Sequence, residues 1–179
     1  IGAGIGPKWI EQVLGVVKAY TTRVGSGPFP SEIEGGIGDL LQQRGHEFGT
    51  TTGRPRRCGW LDTVALRHAA EINGLTGIAL TKLDVLTGID PLRICNGYRY
   101  RGQTKVDFPA GIQVLEQCEG VYEELPGWQE DIGSVRDKAD LPANCRRYIS
   151  RVEELVGVPV DLIAVGPQRE ETMIVRETF

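Results

Sequence analysis

Apolar residues near the start of the chain recur at helical spacing. Ile10, Val13, Leu14 and Val17 stand at i, i+3, i+4 and i+7, which predicts a helix over 7–20 with one apolar face. Residues 21–30 include Gly25, Gly27, Pro28 and Pro30 and predict irregular structure. Ser31 precedes Glu34 at capping-box spacing, ahead of Ile33, Ile37, Leu40 and Leu41, so a second helix is expected to run to about Arg44. Residues 49–57 read as a loop. A helix follows over 62–72, with Val64, Ala65, Leu66 and Ala69 on its inner face and Gly74 as its stop. The apolar run 75–81, held between glycine and charge, predicts a buried strand. Two strand-like runs within 93–105 meet at Arg101-Gly102, a hairpin signal. Pro142 opens a further helix that buries Cys145, Tyr148, Ile149, Val152, Leu155 and Val156 and ends at Gly157. A strand over 158–165, a turn at Gly166-Pro167 and a last strand over 172–175 complete the pattern. Helices alternating with short apolar strands predict an α/β fold with a largely parallel sheet and flanking helices. No repeat, low-complexity tract or linker divides the chain.

Composition narrows the functional classes. The 179 residues suit one domain, and a chain of that size buries roughly 70% of its unfolded surface without disulfides. A net charge of −4 argues against a dedicated nucleic-acid binder. No apolar run approaches the ~18–20 residues of a membrane span. Cys58, Cys95, Cys118 and Cys145 form no CxxC pair and read as reduced thiols, which places the protein in the cytoplasm as an expectation. The 24 glycines are nearly twice the usual ~7% share and imply tight turns and close backbone approaches.

Candidate chemistry concentrates in three places. Residues 49–57 bring Thr50, Thr51 and Thr52 together with Arg54, Arg56 and Arg57 around Gly49, Gly53 and Pro55. Guanidinium forks and hydroxyl donors without matching acceptors suit an anion; a solvated basic loop pairing with surface acids is the plainer alternative. At Leu80-Thr81-Lys82-Leu83-Asp84 a strand ends in Lys-x-Asp. A carboxylate there can accept from N1–H and the 2-amino group of guanine, while the lysine stem lies along the base. Adenine offers no such donor pair, and polar pairing of this kind rejects a wrong partner by on the order of 10⁴. The same residues also make an ordinary strand end with a turn-forming aspartate. Ala164-Val165-Gly166-Pro167 is a third strand followed by a turn that could offer backbone groups. His46 and His68 lack partner spacing for a metal or a triad and read as structural. Trp9, Trp60 and Trp128 read as core or rim aromatics. The sequence has no phosphate-cradling loop of the Gly-x-x-x-x-Gly-Lys-Ser/Thr form.

In order and spacing, five groups of residues resemble adenylosuccinate synthetases: 16–30 (Val-Val-Lys-Ala-Tyr-Thr-Thr-Arg-Val-Gly-Ser-Gly-Pro-Phe-Pro), His46-Glu47-Phe48 with 49–60, 80–84, Leu125-Pro126-Gly127-Trp128, and Val156-Gly157-Val158-Pro159. The resemblance implies a P-loop-NTPase-like architecture of which 1–179 would be the C-terminal portion. It implies a GTP-dependent ligase of AMP biosynthesis that joins IMP and L-aspartate into adenylosuccinate, releasing GDP and phosphate. GTP phosphorylates the 6-oxygen of IMP, and the aspartate amine then displaces that phosphate. Carried onto matching positions, the family pattern puts Thr50, Thr51, Thr52, Gly53, Arg54, Pro55 and Arg56 around aspartate. Arg54 would face aspartate and IMP, Arg56 the GTP side, and Val24 the IMP ribose. Lys82, Leu83 and Asp84 would select guanine, with Ala164, Val165 and Gly166 closing over it. Ala164 and Val165 stand where other members carry Ser-Thr, so backbone contacts are expected there in place of hydroxyl contacts.

The phosphate loop, the catalytic aspartate and histidine, and the Mg²⁺ ligands of the family belong to its amino-terminal part. No catalytic or metal residue is therefore expected within these residues, and no ligase turnover from them alone. A homodimer is implied; nucleic acid and membrane are not expected as partners. Two rival readings remain. Thr-Lys-Leu-Asp also resembles the guanine motif of GTPases, which would make this a GTP-binding regulatory domain. A non-catalytic domain docking its arginine loop on an acidic protein would instead show strongly salt-dependent binding.

Overall fold

The computed structural model describes Gly4 and residues 6–176. Its first half runs β1 (Leu14–Lys18), β2 (Thr21–Arg23), α1 (Gly36–Arg44), β3 (Arg57–Gly59), β4 (Leu61–Asp62), α2 (Thr63–Asn73) and β5 (Gly77–Thr81). The second half runs β6 (Leu92–Tyr100), β7 (Gln103–Lys105), α3 (Ile112–Leu115), β8 (Glu119–Leu125), α4 (Ala143–Val156), β9 (Val160–Ala164) and β10 (Thr172–Ile174).

One sheet has the order β1-β5-β9-β10. Its first three strands are parallel and β10 is antiparallel to β9. The second sheet centres on β6, with β4 parallel to it and β7 and β8 antiparallel. The expected parallel character thus belongs to the first sheet. The turn at Arg101-Gly102 reverses the chain in the second sheet, where Arg101 and Gly102 both take positive φ, 49° and 77°.

Local signals account for the helices. Asp62 caps α2 by accepting the Ala65 N–H at 3.0 Å, and Gly74 ends it in the left-handed conformation at φ 61°. Gly157, at φ 76°, ends α4, whose inner stripe of Cys145, Tyr148, Ile149, Val152 and Val156 is buried. The Tyr148 hydroxyl donates to the Ala19 carbonyl at 2.7 Å, and the Ala19 N–H donates to the Thr81 carbonyl at 2.8 Å. These two bonds fix the chain just beyond β1 against the tip of β5.

Three expectations give way to tertiary pairing. Over 7–20 the chain makes only a 3-10 turn, Pro7–Trp9, and then β1, not a helix. Pairing with β5 from Leu14↔Gly77 to Lys18↔Thr81 overrides the helical spacing, helped by the β-branched Val16 and Val17. Of the apolar face expected there, Ile10 is 56% exposed while Val13, Leu14 and Val17 are half-buried, and Trp9, 73% exposed, lies outside the core that holds Trp60 and Trp128. α1 starts at Gly36 behind an uncapped Gly35, so no capping box forms at Ser31. Ser31 is fully buried instead, and its carbonyl accepts the Trp60 N–H at 2.9 Å. Within 21–30, residues Thr21–Arg23 form β2 against β3.

All four cysteines are free thiols, and no helix among the described residues is long and apolar enough to cross a membrane. His68 stacks on Phe108 with ring centroids 5.1 Å apart, a structural role.

At Gly77, a Cβ atom would fall 1.9 Å from Oδ2 of Asp161, a fully buried side chain. Gly77→Ala is expected to destabilise the protein by roughly 1–3 kcal/mol, read as a lower melting temperature. An unchanged melting temperature would contradict this packing.

Candidate functional site

Parallel strands present their carboxyl ends on one side, where α/β proteins bind ligands. Beyond β5 and β9 lies a cleft of about 640 Å³. Thr81, Lys82 and Asp84 line it from β5, Arg44 and His46 from the end of α1, and Ala164 and Gly166 from β9. Pro167, Gln168, Arg169 and Thr172 complete the wall. Lys82 sits in the left-handed region at φ 64°, and its Nζ donates to the Gly45 carbonyl at 2.9 Å. Positive φ is uncommon in a residue other than glycine, and here it turns the chain sharply out of the strand. Leu83 is fully buried and anchors the 3-10 turn Asp84–Leu86.

Asp84 has the most informative environment in the cleft. Its Oδ1 is buried and has no hydrogen-bond partner among the described residues. Burial pushes its carboxyl above the usual carboxylate range, against the backbone N–H of Asp84 itself and the charge of Lys82. A buried acceptor without a donor costs about 1–3 kcal/mol, a cost that a ligand N–H would remove.

On the β9 side, Ala164 and Gly166 face the cleft, whereas Val165 is buried in the core and donates its N–H to the Glu171 carbonyl at 2.9 Å. A Cβ at Gly166 would lie 2.2 Å from Glu171 Oε2, which already accepts the Gln168 N–H at 2.7 Å. A side chain at Gly166 would displace that carboxylate from the Gln168 N–H.

The arginine loop is built differently. Gly49 N–H donates to the Arg54 carbonyl at 2.8 Å and Gly53 N–H to the Gly49 carbonyl at 2.7 Å, with Gly53 at φ 62°. The tight turn leaves Thr50, Thr51, Thr52, Arg54 and Pro55 exposed. Of its three guanidiniums, two are occupied within the protein. Arg57 pairs with Glu32, its Nε donating at 2.6 Å, and also reaches the Gly27 carbonyl at 2.8 Å. Arg56 donates to Glu47 at 3.0 Å. Of the three, the Arg54 side chain alone has no partner among the described residues.

Glu47 is buried, and three side chains converge on it. Lys18 Nζ donates to its two oxygens at 2.8 and 2.7 Å, and the Tyr20 hydroxyl donates at 2.7 Å. Burial opposes its charge, but the Lys18, Tyr20 and Arg56 donors win and hold the carboxyl below its ordinary value. Burial and the neighbouring Glu47 charge push the Tyr20 hydroxyl upward.

The structure therefore gathers Lys82, Asp84, Ala164 and Gly166 around one cleft. Thr50 to Arg56 lie on a loop outside its lining, joined to it through residues 45–47, and Val24 is 70% exposed just beyond β2. Arg44, His46 and Arg169 also line the cleft, His46 at φ 50°; sequence reasoning singled out neither arginine and gave Glu47 no role. The donors of Glu47 lie 29, 27 and 9 positions away, so no local motif marks it.

Fold and cleft define an α/β protein whose candidate site is a cleft at the carboxyl edge of parallel strands. The family model of adenylosuccinate synthetase matches residues 1–173, and the chain belongs to that family. It is 73% identical over 179 residues to the adenylosuccinate synthetase of Moorella thermoacetica, covering 100% of this chain and 42% of that protein. It is 60% identical over 178 residues to that of Desulfosudis oleivorans, covering 99% of this chain and 42% of the relative. A solved structure of fully ligated adenylosuccinate synthetase from Plasmodium falciparum matches with a TM-score of 0.93 at 41% identity, over 98% of this chain and 42% of that one. The chain thus spans about 42% of the length of these relatives.

Because its folded pKa is lowered, Glu47 contributes stability that is complete above its ordinary value of 4.5 and is lost as pH falls through the depressed value. Acid unfolding followed by circular dichroism is expected to show this limb, and Glu47→Gln is expected to lose it. An identical acid profile in the variant would contradict the assignment.

Proposed function

We propose that this chain is the C-terminal portion, 1–179, of a GTP-dependent ligase that joins IMP and L-aspartate into adenylosuccinate, with GDP and phosphate as products. The observation that carries the reading is the unpartnered, buried Oδ1 of Asp84 in a cleft bounded by Lys82, Ala164 and Gly166. Guanine supplies N1–H and a 2-amino group side by side, the donor pair such a carboxylate lacks. Lys82 contributes its stem along the base, Leu83 holds the turn from below, and Ala164 and Gly166 close the other face. Val165 acts from within the core, through the backbone it fixes.

Arg54 is assigned to the carboxylates of aspartate and to IMP, with Thr50, Thr51, Thr52, Gly53 and Pro55 forming its turn. Arg56 is assigned to the GTP side and Val24 to the IMP ribose. With Arg56 and Arg57 occupied by Glu47 and Glu32, the loop offers too little free positive charge for the alternative of docking on an acidic protein. The family's Mg²⁺ does not fit a site here, since no group of three or more His, Cys, Asp or Glu among the described residues could hold a metal ion. The metal ligands, the catalytic groups and the phosphate loop are assigned to the rest of the full-length protein, a cytoplasmic homodimer in this reading. Phosphoryl transfer depends on holding and neutralising the transferred group, so these residues alone would bind without turning over.

Two variants of the full-length protein test the reading. Asp84→Asn is expected to lower kcat/KM for GTP by about 100-fold and to raise it for XTP, because the amide donates where the carboxylate accepted. Unchanged GTP use would remove Asp84 from base reading. Arg54→Leu is expected to lower kcat/KM for aspartate by ~2–4 kcal/mol in activation free energy. An unaltered aspartate dependence would remove the loop from the site.

A further inference from the structure

Residues 45–47 connect the two groups assigned to the nucleotide. The Gly45 carbonyl accepts Lys82 Nζ at 2.9 Å, and two residues on the Glu47 carboxylate accepts Arg56 at 3.0 Å. The turn is itself clamped from several directions. Glu47 N–H donates to the Gln42 carbonyl at 2.8 Å, the Arg56 N–H donates to the Glu47 carbonyl at 2.9 Å, and Gln42 Nε2 donates to the Arg56 carbonyl at 2.8 Å. Lys18, at the end of β1, and Tyr20 hold the same carboxylate from the sheet side. Gly45 is required by this packing, because a Cβ there would fall 2.0 Å from the Tyr20 hydroxyl oxygen. His46 between them adopts φ 50°, a backbone state that persists only where its surroundings impose it.

We infer that Glu47 is a positioning residue for nucleotide use: its buried carboxylate sets the Arg56 guanidinium relative to Lys82 and ties both to the end of β1. The inference rests on the GTP-side roles of Arg56 and Lys82 proposed above. Glu47 itself does not touch the nucleotide. Of the Arg56 guanidinium, Nη1 is committed to Glu47, while Nε is buried without a partner. A fork held at one corner keeps its remaining donors in a fixed direction, which is the geometric basis of preorganised binding. Displacement of such a group by about 1 Å can cost up to about 100-fold.

The test is a double-mutant cycle in the full-length protein, with steady-state kinetics for GTP and IMP and melting temperatures for every variant. Arg56→Ala is expected to raise KM for GTP at least tenfold. Glu47→Gln is expected to raise it about tenfold, leaving kcat and KM for IMP within twofold, and to add less than twofold in the Arg56→Ala background. Loss of the Glu47 carboxylate lowers the melting temperature on either reading, so the melts serve to show that each variant is folded at the assay temperature. A merely structural role would affect both substrates alike and add fully to Arg56→Ala; that outcome overturns the inference. Should Glu47→Gln fail to fold, Glu47→Asp keeps the charge beside Lys18 but withdraws it by about 1.5 Å, one C–C bond, and is expected to raise KM for GTP about threefold. If Arg56→Ala acts and the Glu47 variants do not, positioning by Glu47 is wrong and the nucleotide site stands. If Arg56→Ala also leaves KM for GTP unchanged, the role of Arg56 fails and the inference fails with it.

Discussion

Parallel pairing of β1, β5 and β9 brings three carboxyl ends to one edge, and every group of the candidate site takes its place from that edge. Strand β1 ends at Lys18, which reaches Glu47; β5 ends at Thr81, which hands the chain to Lys82 and Asp84; β9 ends at Ala164, beside the cleft. The pairing is locked from outside the sheet. Tyr148 of α4 donates to the Ala19 carbonyl while Ala19 donates to Thr81, so helix packing and strand register fix the same corner. Loosening either would move the arginine loop and the turn at Lys82 to Asp84 relative to each other.

Two carboxylates at this edge, Glu47 buried and Asp84 half-buried, are treated in opposite ways. Glu47 is surrounded by two cations and a hydroxyl, and its charge is fully answered within the protein. Such a group, once satisfied, specifies geometry: Lys18, Tyr20 and Arg56 can meet only where it lies. Asp84 is left with an acceptor, Oδ1, that nothing among the described residues satisfies. Proteins tolerate few such groups, and one beside an open cleft has its natural partner in a ligand. Exposure agrees with the contrast: Glu47 is fully withdrawn from water, whereas Asp84 is half-buried at the cleft wall.

Segments whose fate is decided locally were legible in the sequence. The stops at Gly74 and Gly157 and the turn at Arg101-Gly102 act within a few residues, and the elements they bound form as expected. β1 was misread because its apolar spacing also suits a helix; its partner β5 lies 63 positions away. Ser31 carries a capping signal that burial against the Trp60 backbone overrides. The site divides in the same way. Lys82 and Asp84 stand at a strand end that can be read directly, whereas the arginine cluster looked more available than it is. Glu32 and Glu47, far along the chain, take two of its three guanidiniums. Glu47 has no local signature at all, because its environment exists only once the sheet edge has formed.

The account turns on Asp84 reading a purine through its paired donors. The most direct measurement is a crystal structure of the full-length protein with GDP bound. The expected result is a guanine base in the cleft beside Lys82, with the two Asp84 oxygens at about 2.7–3.2 Å from N1 and the 2-amino nitrogen. A base lying elsewhere, or an Asp84 Oδ1 still without a donor in the complex, would contradict the account.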